Sequence, residues 1–161
     1  QDKCVDLVFC NQMLPWVKNL INLFSEIERI LKPNGVFIFA TLGPDTFSEL
    51  YTIENRSKAF LFPDMHDVGD ALVKAGLSDP VLDVDRLKVT FPSPAALITD
   101  LEACGASHHL TTKSLEIQGT NCKTVEMDFE LVYGHAWGVN KRLNNDEYHI
   151  DPKSISQRTP T

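Results

Sequence analysis

"CVDLVFCNQMLPW", residues 4–16, decides how the rest of the chain is read. An apolar run bounded by Asp6 and Asn11 has the pattern of a strand buried on both faces of a parallel sheet. Pro15 stands where the first turn of a helix accepts it. Trp16, Leu20, Leu23, Phe24, Ile27, Ile30 and Leu31 then recur at helical spacings, with Lys18, Asn22, Ser25, Glu28 and Arg29 mostly between them. This predicts an amphipathic helix of about five turns. "KPNG", 32–35, ends it with turn chemistry. "VFIFATLG", 36–43, follows as a second run apolar on both faces. Strand, helix and strand with tight connections make a βαβ unit, which requires a right-handed crossover and a parallel sheet.

Beyond this unit, 44–63 is mixed, with a short helix expected from Asp45 and then loop. "DMHDVGDALVKAG", 64–76, predicts a second helix, with acidic residues in its first turn and Gly76 where the chain leaves it. A strand region follows at 80–91 whose alternation changes phase. Leu82 and Val84 share one parity, and Leu87, Val89 and Phe91 the other. A bulge near Asp85–Arg86 would restore one inward face. "SPAALITDLEACG", 93–105, predicts a third helix with Ser93 as cap and Pro94 at its first position. "VEMDFELVYGHAWG", 125–138, alternates. Met127, Phe129, Leu131, Tyr133, His135 and Trp137 share one face of a strand expected to be half exposed at its start and enclosed at its end. Residues 139–161 read as a polar tail after a domain spanning 1–138.

The 161 residues allow one domain or the larger part of one, with 43% apolar and 23% charged side chains. The net charge of −7 disfavours nucleic acid and anionic membrane as partners. No apolar run reaches the roughly 18 residues of a membrane span. Cys4, Cys10, Cys104 and Cys122 form no C-x-x-C pair and no metal spacing with histidine, so free thiols and a cytoplasmic location are expected.

"DLVFCNQMLPW", "LKPNGVFIFATLGPDTFSEL", "DMHDVGDALVKAGLSDPV" and "YGHAWG", in this order, resemble the second half of a class I S-adenosylmethionine-dependent methyltransferase. More narrowly they resemble the malonyl-acyl-carrier-protein O-methyltransferases of biotin synthesis. The resemblance implies an α/β fold: the later strands of a Rossmann-like sheet, with an antiparallel last strand. It also implies transfer of a methyl group from S-adenosyl-L-methionine to the carboxylate of malonyl-acyl carrier protein or malonyl-CoA. That family binds its cofactor through a glycine-rich turn in the first half of the sheet. No two of the eight glycines here are two residues apart, so the chain has no G-x-G. The resemblance therefore covers the carboxyl-terminal part only, and the isolated chain is expected to be inactive. A non-catalytic remnant acting as an interaction module, and a class I enzyme with another acceptor, stay open as alternatives.

A malonyl carboxylate is already ionised at neutral pH, so its methylation needs placement and water exclusion rather than a strong base. The open-sheet rule puts such a site at the carboxyl ends of the parallel strands, here Asn11–Gln12 and Thr41–Asp45. Asn11 and Gln12 are the candidates for cofactor contact, although Asn11 also suits a turn that bonds its own backbone. Tyr133 and His135, with Asn11, are the candidate catalytic residues. Their alternative is an aromatic core stripe with a satisfied histidine. Trp137, His66 and Asp45 are candidates for substrate binding, Asp45 equally for capping a helix and His66 for a solvated surface. Arg56 and Lys58 would receive an acidic carrier, or are scattered surface charge. His108 and His109 lack a third ligand, so no metal site is expected. An apolar strand edge at residues 5–9 would need a partner, either a cofactor half or a second copy about a two-fold axis.

Overall fold

The structure, a computed structural model, describes residues 1–48, 62–104 and 124–139. In chain order the elements are β1 (Val5–Asn11), a 3-10 turn (Leu14–Trp16), α1 (Leu20–Ile30), β2 (Leu31–Leu42), α2 (Met65–Ala75), β3 (Ser78–Phe91), α3 (Pro94–Ala103) and β4 (Val125–Trp137). The four strands form one sheet in the order β1-β2-β4-β3. β1 and β2 are parallel, while β4 runs antiparallel to both β2 and β3. Among the described residues the βαβ unit and an antiparallel last strand are therefore both present.

Three helices start on side-chain caps. Asn19 Oδ1 accepts from the Asn22 amide, Asp64 Oδ1 from His66, and Ser93 Oγ from Ala96. α2 ends at Gly76, whose φ of 98° is the left-handed exit that glycine takes without strain. The helix expected from Pro15 begins later. Pro15 lies in the 3-10 turn, Trp16 is exposed, and α1 is 11 residues long. Asn19 stops the pattern from running back further because its side chain caps the following turn. "KPNG" keeps its turn character inside β2. Asn34 has φ 62°, and the ladder to β1 slips between the Val5–Leu31 and Leu7–Val36 pairs.

One core lies beneath the sheet, where Phe24 and Ile27 of α1 and Val68 and Leu72 of α2 meet Phe37 and Phe39 of β2. A second lies on the opposite face, where Leu97 and Leu101 of α3 meet Phe91, Val125, Met127 and Phe47. This change of side explains the phase change in β3. Even residues such as Leu82 pack on the first core, and odd Phe91 on the second. The ladder to β4 runs without a slip from Val81 to Phe91, so the bulge expected at Asp85–Arg86 is absent. Its only slip lies between Ser78 and Val81.

β4 corrects a second expectation. Its odd face is buried at the start, at Val125 and Met127, and open at the end, at Tyr133 and Trp137. The even face, Glu130, Val132, Gly134 and Ala136, is the enclosed one, because small residues there admit the Phe37 and Phe39 rings. β1 is likewise buried on one side only. Cys10 enters the core, while Leu7 and Phe9 remain 54% and 68% exposed. Residues 44–47 form a turn and Ser48 is 3-10 helical, and the remainder of the short helix expected from Asp45 lies outside the described residues. Residues 49–61, 105–123 and 140–161, including Arg56, Lys58, His108, His109 and Cys122, lie outside the described residues.

Candidate functional site

The uncovered face is a grid fixed by register. Leu7, Val36 and Trp137 form one row across β1, β2 and β4. Phe9, Ile38, His135 and Val81 form the next, extending to β3. Asn11, Ala40, Tyr133 and Asp83 form the third, at the carboxyl end of the parallel pair. All of these but Leu7 line a shallow groove of about 670 Å³ with an apolar floor and polar groups toward one end. The structure thus brings Asn11, Tyr133, His135 and Trp137 onto one surface, the last three by the strand's period of two and Asn11 by the register of β1, β2 and β4. The His135 and Trp137 rings meet edge to face at 6.1 Å between centroids.

Gln12 follows at the strand end with φ 54°, a region that non-glycine residues occupy at a cost of about 1–3 kcal/mol. Its amide donates to the Ala40 carbonyl at 2.8 Å. Its side-chain Oε1 is buried without a hydrogen-bond partner among the described residues.

Asp45 lies elsewhere, in a second groove of about 450 Å³ lined also by Ser48, Arg86, Lys88, Asp128 and Glu130. There β3 and β4 run on past the end of β2, whose last pair is Leu42 with Leu131. Arg86 Nη2 donates to Asp45 Oδ2 at 2.9 Å. Glu130 carries a buried carboxylate that sequence reasoning passed over, because an acid in an alternating strand reads as solvent-facing. The available signal was its parity, which it shares with Val132, Gly134 and Ala136.

His66 joins neither groove. It is exposed at the start of α2, where its amide and Nδ1 both lie 2.8 Å from Asp64 Oδ1. Those contacts, the His66 amide first and its ring second, hold the Asp64 carboxyl below the ordinary carboxylate value. Among the described residues no group of three or more His, Cys, Asp or Glu is placed to hold a metal ion, and no helix is long and apolar enough to cross a membrane.

The sheet order, the crossover and the antiparallel final strand define half of a class I methyltransferase sheet, and solved structures carry the same fold. The YcgJ protein from Bacillus subtilis superposes with a TM-score of 0.55 at 12% identity, over 87% of this chain and 66% of that one. A putative methyltransferase from Bacillus halodurans gives 0.57 at 16% identity, over 87% and 67%. Residues 1–39 match the family described as "Methyltransferase domain".

In sequence the chain is similar to the malonyl-[acyl-carrier protein] O-methyltransferases. It is 36% identical to the protein of that name from Methylovorus sp. over 157 residues, 86% of this chain and 53% of that one. With its counterpart from Coxiella burnetii the identity is 33% over 178 residues, 98% of this chain and 63% of that one. The chain thus spans between about half and two thirds of the length of these curated relatives.

S-adenosylmethionine, as the methyl donor of such a fold, needs a glycine turn that lets the backbone approach it. At the carboxyl end of β1 the described residues place exposed Asn11 and Gln12, whose buried Oε1 has no described partner. The 161 residues contain no G-x-G.

Proposed function

We propose that this chain forms the acceptor-side half of an S-adenosylmethionine-dependent O-methyltransferase that esterifies a malonyl thioester, on acyl carrier protein or coenzyme A, in biotin synthesis. The observation that supports this best is the asymmetry of the sheet. One face is filled by α1 and α2, whereas the other presents three open rows that carry every described candidate catalytic residue. An open apolar face beside polar residues at a strand's carboxyl end suits a surface completed by a cofactor-binding half. In the isolated chain the same face, with the β1 edge that no described strand covers, pairs with a second copy instead.

The methyl donor supplies a sulfonium carbon, and the acceptor carboxylate attacks it without prior loss of a proton. The work left to this chain is orientation and exclusion of water. The Tyr133 hydroxyl and the His135 imidazole hold the acceptor, the Trp137 ring shields it, and Asn11 with Gln12 borders the donor. Asp45, in the second groove past the end of β2, would meet an acceptor that reaches that far. Arg56 and Lys58 would meet an acidic carrier.

A second reading is a non-catalytic interaction module. The two readings separate in an assay of labelled methyl transfer to malonyl-acyl carrier protein. The enzyme reading predicts no ester from the chain alone, and ester when the amino-terminal half of one of the curated relatives is added. Binding of that half without ester formation supports the module. Ester formation on an unrelated carboxylic acid in preference to the malonyl thioester points to another acceptor.

A further inference from the structure

Glu130 stands among the described residues as a charged side chain only 8% exposed, and none of the roles above uses it. Its surroundings account for its burial. Carboxylate Oε2 accepts from the Asp45 amide at 2.9 Å, and Oε1 lies 3.6 Å from Arg86 Nη2, which also holds Asp45 Oδ2. Its backbone is equally engaged. The Glu130 carbonyl accepts from the Gly43 amide at 2.9 Å and from Thr46 Oγ1 at 3.2 Å, while its amide donates to Thr46 Oγ1 at 3.1 Å. Gly43 answers to the same side chain, since a Cβ there would lie 2.6 Å from Glu130 Cδ. The turn is thus tied to β4 beyond the last residue pair of β2.

We infer that Glu130 is a positioning residue that fixes the 43–48 turn, and with it the direction of Asp45, at the carboxyl end of the sheet. Asp45 is held at both ends: its amide by Glu130 directly, its carboxylate by the Arg86 that Glu130 steadies. A buried carboxylate accepting an amide makes a stronger bond than a neutral acceptor, and its removal leaves that amide unpaired. That Asp45 faces the methyl acceptor rests on the function proposed above; the anchoring of the turn does not.

Residue-resolved amide exchange on the full chain tests this. In Glu130→Ala, exchange at Asp45 accelerates about tenfold or more, with Gly43 and Phe47 following, while amides from Val132 to Ala136 keep their rates. Glu130→Gln, which keeps an acceptor oxygen, restores protection at Asp45. Unchanged Asp45 exchange in Glu130→Ala overturns the inference, as does equal acceleration along all of β4 or failure of Glu130→Gln to restore it. Should Glu130→Ala not fold, Gly43→Ala decides, because its Cβ displaces the same carboxylate and accelerates the same three amides. Loss of the proposed methyl transfer would leave these exchange results standing, so the two claims fail separately.

Discussion

Gly134 of β4 lies directly under the ring of Phe39, its register partner on β2, so closely that a Cβ would come within 2.6 Å of the ring's Cε1. Phe39 in turn stacks on Phe37 at 5.2 Å and reaches Phe24 of α1. The glycine in "YGHAWG" is therefore what lets the central strand carry a phenylalanine against its neighbour. Gly134→Ala is expected to destabilise the fold by about 1–3 kcal/mol through overpacking. Urea denaturation measures it. In a Phe39→Leu background the penalty should shrink, since the two side chains compete for one space.

Thr41 offers a contrasting case. Its Oγ1 is buried and lacks a hydrogen-bond partner among the described residues. Replacing an unsatisfied hydroxyl with a methyl of similar shape relieves a desolvation cost. Thr41→Val should therefore leave stability unchanged or raise it by about 1 kcal/mol, read as an upward shift of the thermal midpoint.

The start of α2 carries a pH signature. The His66 amide and ring lower the Asp64 carboxyl from its ordinary 3.8. A depressed carboxylate contributes stability above its unfolded value and loses that contribution as pH falls through its folded value. The first turn of α2 should thus fray in acid below about pH 3.8 and not near neutrality. Amide exchange at His66 as a function of pH checks this, and Asp64→Asn should flatten the acid limb.

Thiol chemistry reports on the first core. Burial pushes the Cys10 thiol up, while Cys4 and Cys104 are exposed. At neutral pH a thiol reagent should modify Cys4 and Cys104 well before Cys10. Labelling of Cys10 at the rate of the other two would mean that the α1–sheet core opens readily. Mass spectrometry of timed digests distinguishes the outcomes.

The open face makes a prediction about association rather than stability. Phe9→Ser removes a side chain that is 68% exposed, so the unfolding free energy should change by no more than about 0.5 kcal/mol. Self-association, followed by sedimentation, should weaken. A large loss of stability would mean that Phe9 is covered in the free chain.

The parts legible in the sequence are those written in local chemistry. The Asp64 and Ser93 caps, the Gly76 exit and the strand–helix–strand order each follow from residues within a few positions of one another. The phase change in β3 was visible as a pattern, but its cause lies in α3, which covers the opposite face from α1 and α2. A bulge and a change of covering layer leave the same trace in one strand. Tyr133, His135 and Trp137 share a face by the strand's period alone, whereas Asn11 joins them only through the β1-β2-β4 order. Glu130 was hidden because its partners stand 85 residues away, around Asp45.

On the function proposed above, this chain borders one side of the methyl donor and another segment supplies the glycine turn. Calorimetric titration of S-adenosylhomocysteine into the purified chain, alone and with the amino-terminal half of one of the curated relatives, tests it directly. The account predicts no binding heat for the chain alone, and saturable binding once both halves are present that weakens in Gln12→Ala. Saturable binding by the chain alone, undiminished in Gln12→Ala, would contradict it.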